Sequence, residues 1–313
     1  MEAILREYRP ESDFLRIRDM LARHYARFGI TTSWRVERWV YARHFVAPLL
    51  GAARYAQTTE DAMQGIRNWE SQIGVWEDDT GQIVAVVHGE ADGPGSAFTQ
   101  RRPGADGLLN QMVEYAEEHL AHPDTGRLAL YIPDGDEGLR AVAAWRGHEM
   151  NVEWAGHDSE FDCSELSPKR LPDGFTIASM ADCPDVEPRR KALSLGFGHT
   201  DRSEWTSAVC YRELQKAPDY RAELDLFVIA PDGEYVSCCI AWYDTWNRIA
   251  AIEPVCTLPD YRRRGLGREV VYEAIRRAAA LGAGSVWVGT AKPFYLAIGF
   301  RVRHTAHSWQ NPA

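Results

Sequence analysis

Glu253-Pro-Val-Cys-Thr-Leu-Pro-Asp-Tyr-Arg-Arg-Arg-Gly-Leu-Gly-Arg268 decides how this sequence is read. A strand-like run, Ile249 to Thr257, enters a tight loop, and the loop opens a predicted helix over Leu266 to Leu281. Arg262, Gly265 and Gly267 stand in the spacing R-x-x-G-x-G. Glycines there let the backbone turn sharply and approach a ligand closely. The first turn of the helix aims unpaired N–H groups and its positive dipole end at whatever the loop holds. That is an anion site, best suited to a pyrophosphate. Arg262, Arg263, Arg264 and Arg268 surround it with positive charge.

The order continues downstream. A strand over Ser285 to Thr290 is followed by a short helix over Pro293 to Ile298, with Tyr295 inside it and Gly299-Phe300 closing it. Loop, helix, strand, tyrosine and glycine–aromatic pair in this order resemble the acyl-CoA-binding core of the GNAT N-acetyltransferases. That resemblance implies roles. Val255, Cys256 and Thr257 offer backbone groups to the pantetheine arm of acetyl-CoA as an added strand would. The segment Arg262 to Arg268, with Gly265, Leu266 and Gly267 inside it, holds the pyrophosphate. Phe294 and Lys292 flank the cofactor, Lys292 standing equally as a surface residue. Tyr295 is the general acid aimed at the thioester sulfur. Glu253 shares a strand face with Val255 and Thr257 by alternation. It is either the base that relieves the attacking amine of its proton or a structural or ammonium contact. Asp244 is a weaker candidate. Pro254 removes a ladder donor, which is harmless where the family's sheet splays open.

The chain has 313 residues, which fits two domains. No apolar run approaches the ~20 residues needed to cross a membrane, and the N-terminus does not read as a secretory signal. A formal net charge of −10 lacks the basic footprint that general nucleic-acid binding requires. The six cysteines all fall between Cys163 and Cys256 without a C-x-x-C pair, so reduced buried thiols are expected rather than disulfides or a metal site. Cys238 and Cys239 are adjacent in a strand-like run and should face opposite ways. His199, His304 and His307 are at most pocket residues. The expected acceptor pocket is Leu195 to Trp205 with Trp242 and Trp246, where Asp201, Glu204 and Asp244 would suit a cation.

In chain order, Leu5 to Tyr8 reads as a strand, and Phe14, Ile17, Met20, Leu21 and Tyr25 give the next helix its apolar face. Thr32 to Phe45 reads as a second helix. A hairpin follows around Glu77 to Gly81, then a helix over Leu108 to Leu120, a strand over Leu128 to Ile132, and a short helix over Leu139 to Trp145 ended by Gly147. Ser164 to Gly174 is polar, has two prolines and reads as a linker. The order then restarts, with a strand over Phe175 to Ser179, a helix over Pro184 to Ser194, a hairpin around Pro231 to Gly233, and a closing strand over Val302 to Trp309.

The fold class expected is α/β (α+β): two tandem GNAT-like domains, 1–165 and 172–313, each a mixed, mostly antiparallel sheet flanked by helices. The first half departs where chemistry would sit. In Arg101-Arg-Pro-Gly-Ala-Asp106, Gly104 matches the first glycine, but Asp106 replaces the second and Pro103 removes a donor. Ala143 stands where the second half has Tyr295. The first domain is therefore expected to be degenerate. The resemblance implies acetyl transfer from acetyl-CoA, without metal, to a primary amine of a small molecule by direct attack, in a cytoplasmic monomer or homodimer. The alternative is a CoA-binding regulatory or scaffold protein without turnover.

Overall fold

The computed structural model describes residues 2–28, 34–50, 56–91, 93–168 and 170–311. Its elements run β1 (Ala3–Glu7), α1 (Asp13–Phe28), α2 (Val36–Tyr41), α3 (Ala47–Leu50), α4 (Thr59–Glu70), β2 (Gly74–Asp78), β3 (Ile83–His88), β4 (Ser96–Arg101), α5 (Leu109–His119), β5 (Ala129–Pro133), α6 (Glu137–Trp145) and β6 (Glu149–Asp162). They continue with β7 (Thr176–Ser179), α7 (Val186–Gly196), α8 (Ala208–Gln215), β8 (Asp225–Ile229), β9 (Tyr235–Asp244), β10 (Ile249–Thr257), α9 (Leu266–Ala280), β11 (Ser285–Val288), α10 (Pro293–Ala297) and β12 (Arg301–Gln310). Among the described residues no helix is long and apolar enough to cross a membrane.

The chain divides into two compact units. Unit 1 is Met1–Ala52, Met63–His157 and Arg303–Ala313, and unit 2 is Ala53–Ala62 and Asp158–Val302. These bounds differ from the expected 1–165 and 172–313. The segment read as a linker, Ser164 to Gly174, lies inside unit 2. Leu166 and Leu171 pack against that unit's core, and the Arg170 N–H donates to Glu269 Oε2 at 2.8 Å. Two prolines made this stretch irregular without freeing it from the core. The last strand also differs. Residues from Arg303 onward belong to unit 1, where Ala306 to Gln310 of β12 pair with β5. In unit 2, β11 pairs instead with Ser159 to Asp162 of β6.

Within unit 1 the strand order is β1-β2-β3-β4-β5-β12. Only β4 and β5 are parallel, and they pair over Ser96 and Ala97 alone. Trp76, Val84, Val87, Leu109, Met112, Val113, Leu128 and Leu130 fill one of its cores. The second predicted helix is three pieces, α2, a π turn over Ala42–Val46, and α3; Thr32, its expected start, falls outside the described residues. Leu5 to Tyr8 is displaced to Ala3–Glu7 by its antiparallel register with β2.

Within unit 2 the order is β7-β8-β9-β10-β11-β6, again with one parallel pair, β10 with β11. α7 and α9 both pack on β9. Cys239 sits in the core with Val270, Ala274 and Ala278 of α9, while Cys238 faces Cys256. The alternation expected of adjacent strand residues holds here.

Candidate functional site

The site grows from a divergence of strands. β10 pairs with β9 as far as Thr257, opposite Ser237, but with β11 only over Ile249, Ala250 and Ala251. Beyond Ala251, among the described residues, one edge of β10 therefore carries backbone groups with no strand beside them. The register with β9 breaks between Ile252 and Val255, and the Glu253–Pro254 bond inside the break is cis. Proline sits where the ladder is interrupted, which is where a missing donor costs nothing. The Trp242 indole N–H donates to the Glu253 carbonyl at 2.7 Å and fixes the break. Glu253 is exposed, Val255 and Thr257 are half-buried, and Pro254 and Cys256 are buried. Ile252 and Val255, three residues apart, both pack on the same core, so the break at Glu253–Pro254 interrupts the alternation that would place Glu253 on the face of Val255 and Thr257. Cys256 points its thiol the other way, 3.0 Å from the Cys238 sulfur, and offers the cleft only backbone.

The loop after β10 is built to expose N–H groups. A 3-10 turn over Pro259–Tyr261 is followed by Arg263 at φ 63° and Gly265 at φ 82°, both left-handed. Gly265 precedes α9, and no side chain caps that helix. The first helical bond is Glu269 N–H to the Gly265 carbonyl at 3.1 Å. Among the described residues no carbonyl takes the N–H groups from Arg263 to Arg268. A run of unpaired donors at the positive end of a 15-residue helix is an anion cradle. Gly267 is required by close approach: a Cβ there would lie 3.0 Å from Thr257 Oγ1 and 3.5 Å from the Phe294 ring. Leu266 is buried and anchors the helix in the core.

The arginines divide by role. Arg262 donates through Nε to the Thr257 carbonyl at 3.0 Å and through Nη2 to the Gly196 carbonyl at 3.1 Å. It braces the strand end against α7, a use the sequence did not show. Arg264 donates to the Asp260 carbonyl and lies over the Tyr261 ring, 5.0 Å from its centroid. Arg268 is bound to Glu269 at 3.0 Å. Arg263 is exposed.

Tyr295 lies in α10, 9 % exposed, with its ring edge-on to Phe294 and Phe300. Its hydroxyl has no hydrogen-bond partner among the described residues. Burial raises its pKa well above the phenol range, and the Cys239, Glu253 and Cys256 side chains add to the rise. Lys292 caps α10 with its carbonyl, which accepts from Tyr295 N–H at 2.9 Å.

Several other candidates have local duties. Asp244 accepts from the N–H groups of Trp246 and Asn247, so it holds the β9–β10 turn. Asp201 caps the short turn over Arg202–Glu204. His199 lies 3.7 Å from Glu204, and Trp246 is 63 % exposed. His307 bonds Asp134 in unit 1 at 2.7 Å and takes no part in this site. Residues the sequence did not single out are Gly196, where a Cβ would come within 2.4 Å of the Cys256 sulfur, and Trp242 in its bond to Glu253. The close approach to β10 that Gly196 serves had no local sequence signal.

Unit 1 carries the matching loop in a closed form. Gly104 is left-handed at φ 83°, like Gly265. The Ala105 and Leu108 N–H groups, however, are taken by the Arg102 and Ala105 carbonyls, and a 3-10 turn over Asp106–Leu108 precedes α5. Asp106 accepts from Arg101 Nε at 2.7 Å, and buried Asp136 takes the other end of the same guanidinium at 2.5 and 2.8 Å. Carboxylates occupy the arginine, and the loop's own carbonyls occupy two of the donors. Ala143 is buried where unit 2 has its tyrosine.

Residues 196–301 match the model of the Acetyltransferase (GNAT) family. No curated protein matches the chain. Among solved structures, a GCN5-related N-acetyltransferase from Sphaerobacter thermophilus superposes with a TM-score of 0.59 at 16 % identity, covering 99 % of this chain and 95 % of that one. A tandem GNAT protein from the clavulanic acid biosynthesis pathway gives 0.59 at 14 % identity, with both chains covered in full (100 %). A GNAT-family acetyltransferase from Colwellia psychrerythraea gives 0.56 at 9 % identity over 99 % of this chain and 100 % of that one. At these identities the likeness is one of fold, and the whole chain has the fold of tandem GNAT proteins.

Proposed function

We propose, from the premise that residues 196–301 are a GNAT-family domain, that unit 2 transfers an acetyl group from acetyl-CoA to a primary amine of a small molecule. The observation that carries this reading is the run of unpaired N–H groups from Arg263 to Arg268 beside the open edge of β10. The two features lie end to end, as a pyrophosphate and the pantetheine arm attached to it would need. Acetyl-CoA supplies a thioester; the residues supply position and proton transfer. Val255 and Thr257 present backbone groups to the arm. The N–H groups of Gly265, Leu266, Gly267 and Arg268 face the pyrophosphate, with Arg263 and Arg264 adding charge and Phe294 closing one side. Arg262 acts by holding Thr257 and Gly196 in place.

Direct attack forms an N–C bond and breaks the C–S bond. The amine proton leaves to Glu253, directly or through a water, and the Tyr295 hydroxyl gives its proton to the departing sulfur. Burial keeps that hydroxyl protonated across the neutral range, as an acid requires. Tyr295→Phe removes one oxygen and keeps the ring contacts to Phe294 and Phe300. Steady-state assay of CoA release with a panel of amines should show kcat lower by ~10²–10⁴-fold with KM for acetyl-CoA unchanged. An unaltered kcat would remove Tyr295 from the chemistry. Absence of turnover by the wild type with every amine would favour a role without catalysis.

A further inference from the structure

We propose that Cys238 and Cys256 are a redox pair that closes to a disulfide across β9 and β10. Cys238 is directly opposite Cys256 in the antiparallel register, and their sulfurs are 3.0 Å apart. Opposed residues of an antiparallel pair hold their Cα atoms ~4.5–5.5 Å apart. A disulfide spans Cα separations of ~4.4–6.8 Å. The bond therefore forms by a small side-chain rotation with the strands in place. Cys239, adjacent in sequence, points its thiol elsewhere, 3.9 Å from the Ile240 carbonyl.

The surroundings favour reaction at Cys238. Arg189 of α7 is fully buried, its Nε donates to Asp225 at 2.8 Å, and its Nη1 has no hydrogen-bond partner among the described residues. Asp225 also accepts from the Tyr220 hydroxyl at 2.9 Å and from that of Tyr211. The Cys256 thiol donates to Cys238 and, with the Arg189 charge, holds the Cys238 thiol below its ordinary range in spite of burial. The same contact, with burial, holds the Cys256 thiol above its range. A thiol of lowered pKa in contact with a second thiol of raised pKa suits oxidation of the first followed by resolution by the second.

The oxidant is a small peroxide, which has to reach a pair of buried thiols, Cys238 at 0 % and Cys256 at 7 % exposure. The Cys238 sulfur attacks one peroxide oxygen, the O–O bond breaks, and a sulfenic acid and one water result. The Cys256 sulfur then displaces that hydroxyl, its proton leaves with it as a second water, and the S–S bond forms. Two thiols are oxidised and one peroxide is reduced to two waters; a dithiol reverses the change.

A consequence for ligand binding rests on the function proposed above. Cys256 lies between Val255 and Thr257, and its sulfur touches the Ala192 and Leu193 carbonyls of α7 at 3.6 and 3.9 Å. Beside them the Gly196 carbonyl holds Arg262, which also holds Thr257. Drawing the sulfur toward β9 loosens this brace, and the oxidised protein binds acetyl-CoA more weakly.

The test uses the wild-type chain, treated with hydrogen peroxide, alkylated, digested with trypsin and mapped by mass spectrometry in the absence of acetyl-CoA. Cleavage after Arg221, Arg248 and Arg262 places Cys238 and Cys239 in one peptide and Cys256 alone in the next. The expected product is these two peptides joined, lighter by two hydrogens, with fragment ions assigning the link to Cys238 and dithiothreitol undoing it. Cys239→Ala should keep the link and Cys238→Ala should lose it. Should Cys238→Ala fail to fold, the fragment ions of the wild type decide. Oxidation confined to Cys163 and Cys183, or a link through Cys239, would overturn the proposal. Acetyl-CoA affinity should fall several-fold in the linked protein and recover on reduction; a fully linked protein with unchanged affinity would overturn the coupling. The mass shift is read without acetyl-CoA, so failure of the disulfide and failure of the proposed function are told apart.

Discussion

Arg262 shows how a residue can sit in the right motif and do a different task. By spacing it belongs to an anion loop, yet its guanidinium donates to the Thr257 and Gly196 carbonyls. Its contribution to a ligand is indirect, through the positions of β10 and α7. Glu253 is the residue whose role turns most on measurement. Its carbonyl is held by Trp242, and its carboxylate is close enough to raise the Tyr295 pKa. A base must be deprotonated to act, so activity carried by Glu253 falls as pH drops through its pKa. Glu253→Gln should lower kcat and abolish the acidic limb of the pH–rate profile; a profile that keeps this limb would assign the base elsewhere. The loop glycines were legible in the sequence because local geometry fixes them, and Tyr295 through the order of motifs that carries the family resemblance. The bond of Trp242 to Glu253, the close approach of Gly196 to Cys256 and the inward use of Arg262 were not, because each is defined by a partner distant in sequence.

At the scale of elements, the two anion loops differ by what occupies their donors. In unit 2 the N–H groups before α9 are unpaired; in unit 1 the loop's own carbonyls and Asp106 with Asp136 close the equivalent turn. The sequence showed this difference at Asp106 but gave no sign of Asp136. Two helices, α4 and α8, were not singled out although their apolar residues recur at helical spacing: Ala62, Ile66 and Trp69 are buried in α4, and Cys210, Tyr211 and Leu214 in α8. One strand of unit 1 carries a pH-sensitive group. His88 in β3 is completely buried, edge-on to Trp34 and Trp39, and its Nδ1 bonds the Gly89 carbonyl at 2.8 Å. Burial pushes its pKa down to about 4 from 6.5. The unfolded chain therefore binds a proton between these values that the folded chain refuses. Stability is full above pH 6.5 and is lost as pH falls toward 4, by on the order of 3 kcal/mol. Melting curves across this window should show the loss in the wild type and a shallower slope in His88→Gln. Equal slopes would mean that other groups govern acid unfolding.

Over the whole molecule, the elements read from the sequence occur in the order read, with α4, β4, β6 and α8 standing between them unread, and the tandem repetition was visible as a pattern that restarts after Gly174. The ownership of the last strand was not. β12 reads as a strand from its composition, but register partners are set by the fold, and here they are Ala129 to Pro133 of unit 1. Trp309 packs on that unit's core, and the Asn311 side chain accepts from Leu128 N–H at 2.8 Å and donates to the Gly126 carbonyl at 2.8 Å. Deleting residues 303–313 should therefore strip hydrogen-exchange protection from β5 while β8 and β9 keep theirs. Protection retained throughout β5 would contradict the observed pairing. The central claim, that the chain has one working acyl-CoA site and that it lies at the loop before α9, is tested most directly by calorimetric titration of acetyl-CoA into the wild type and into Gly267→Asp. This substitution places a carboxylate at a position where even a Cβ meets Thr257 Oγ1 at 3.0 Å. One site per chain, lost in the variant, is the predicted result. Two sites, or one that survives in Gly267→Asp, would contradict the account.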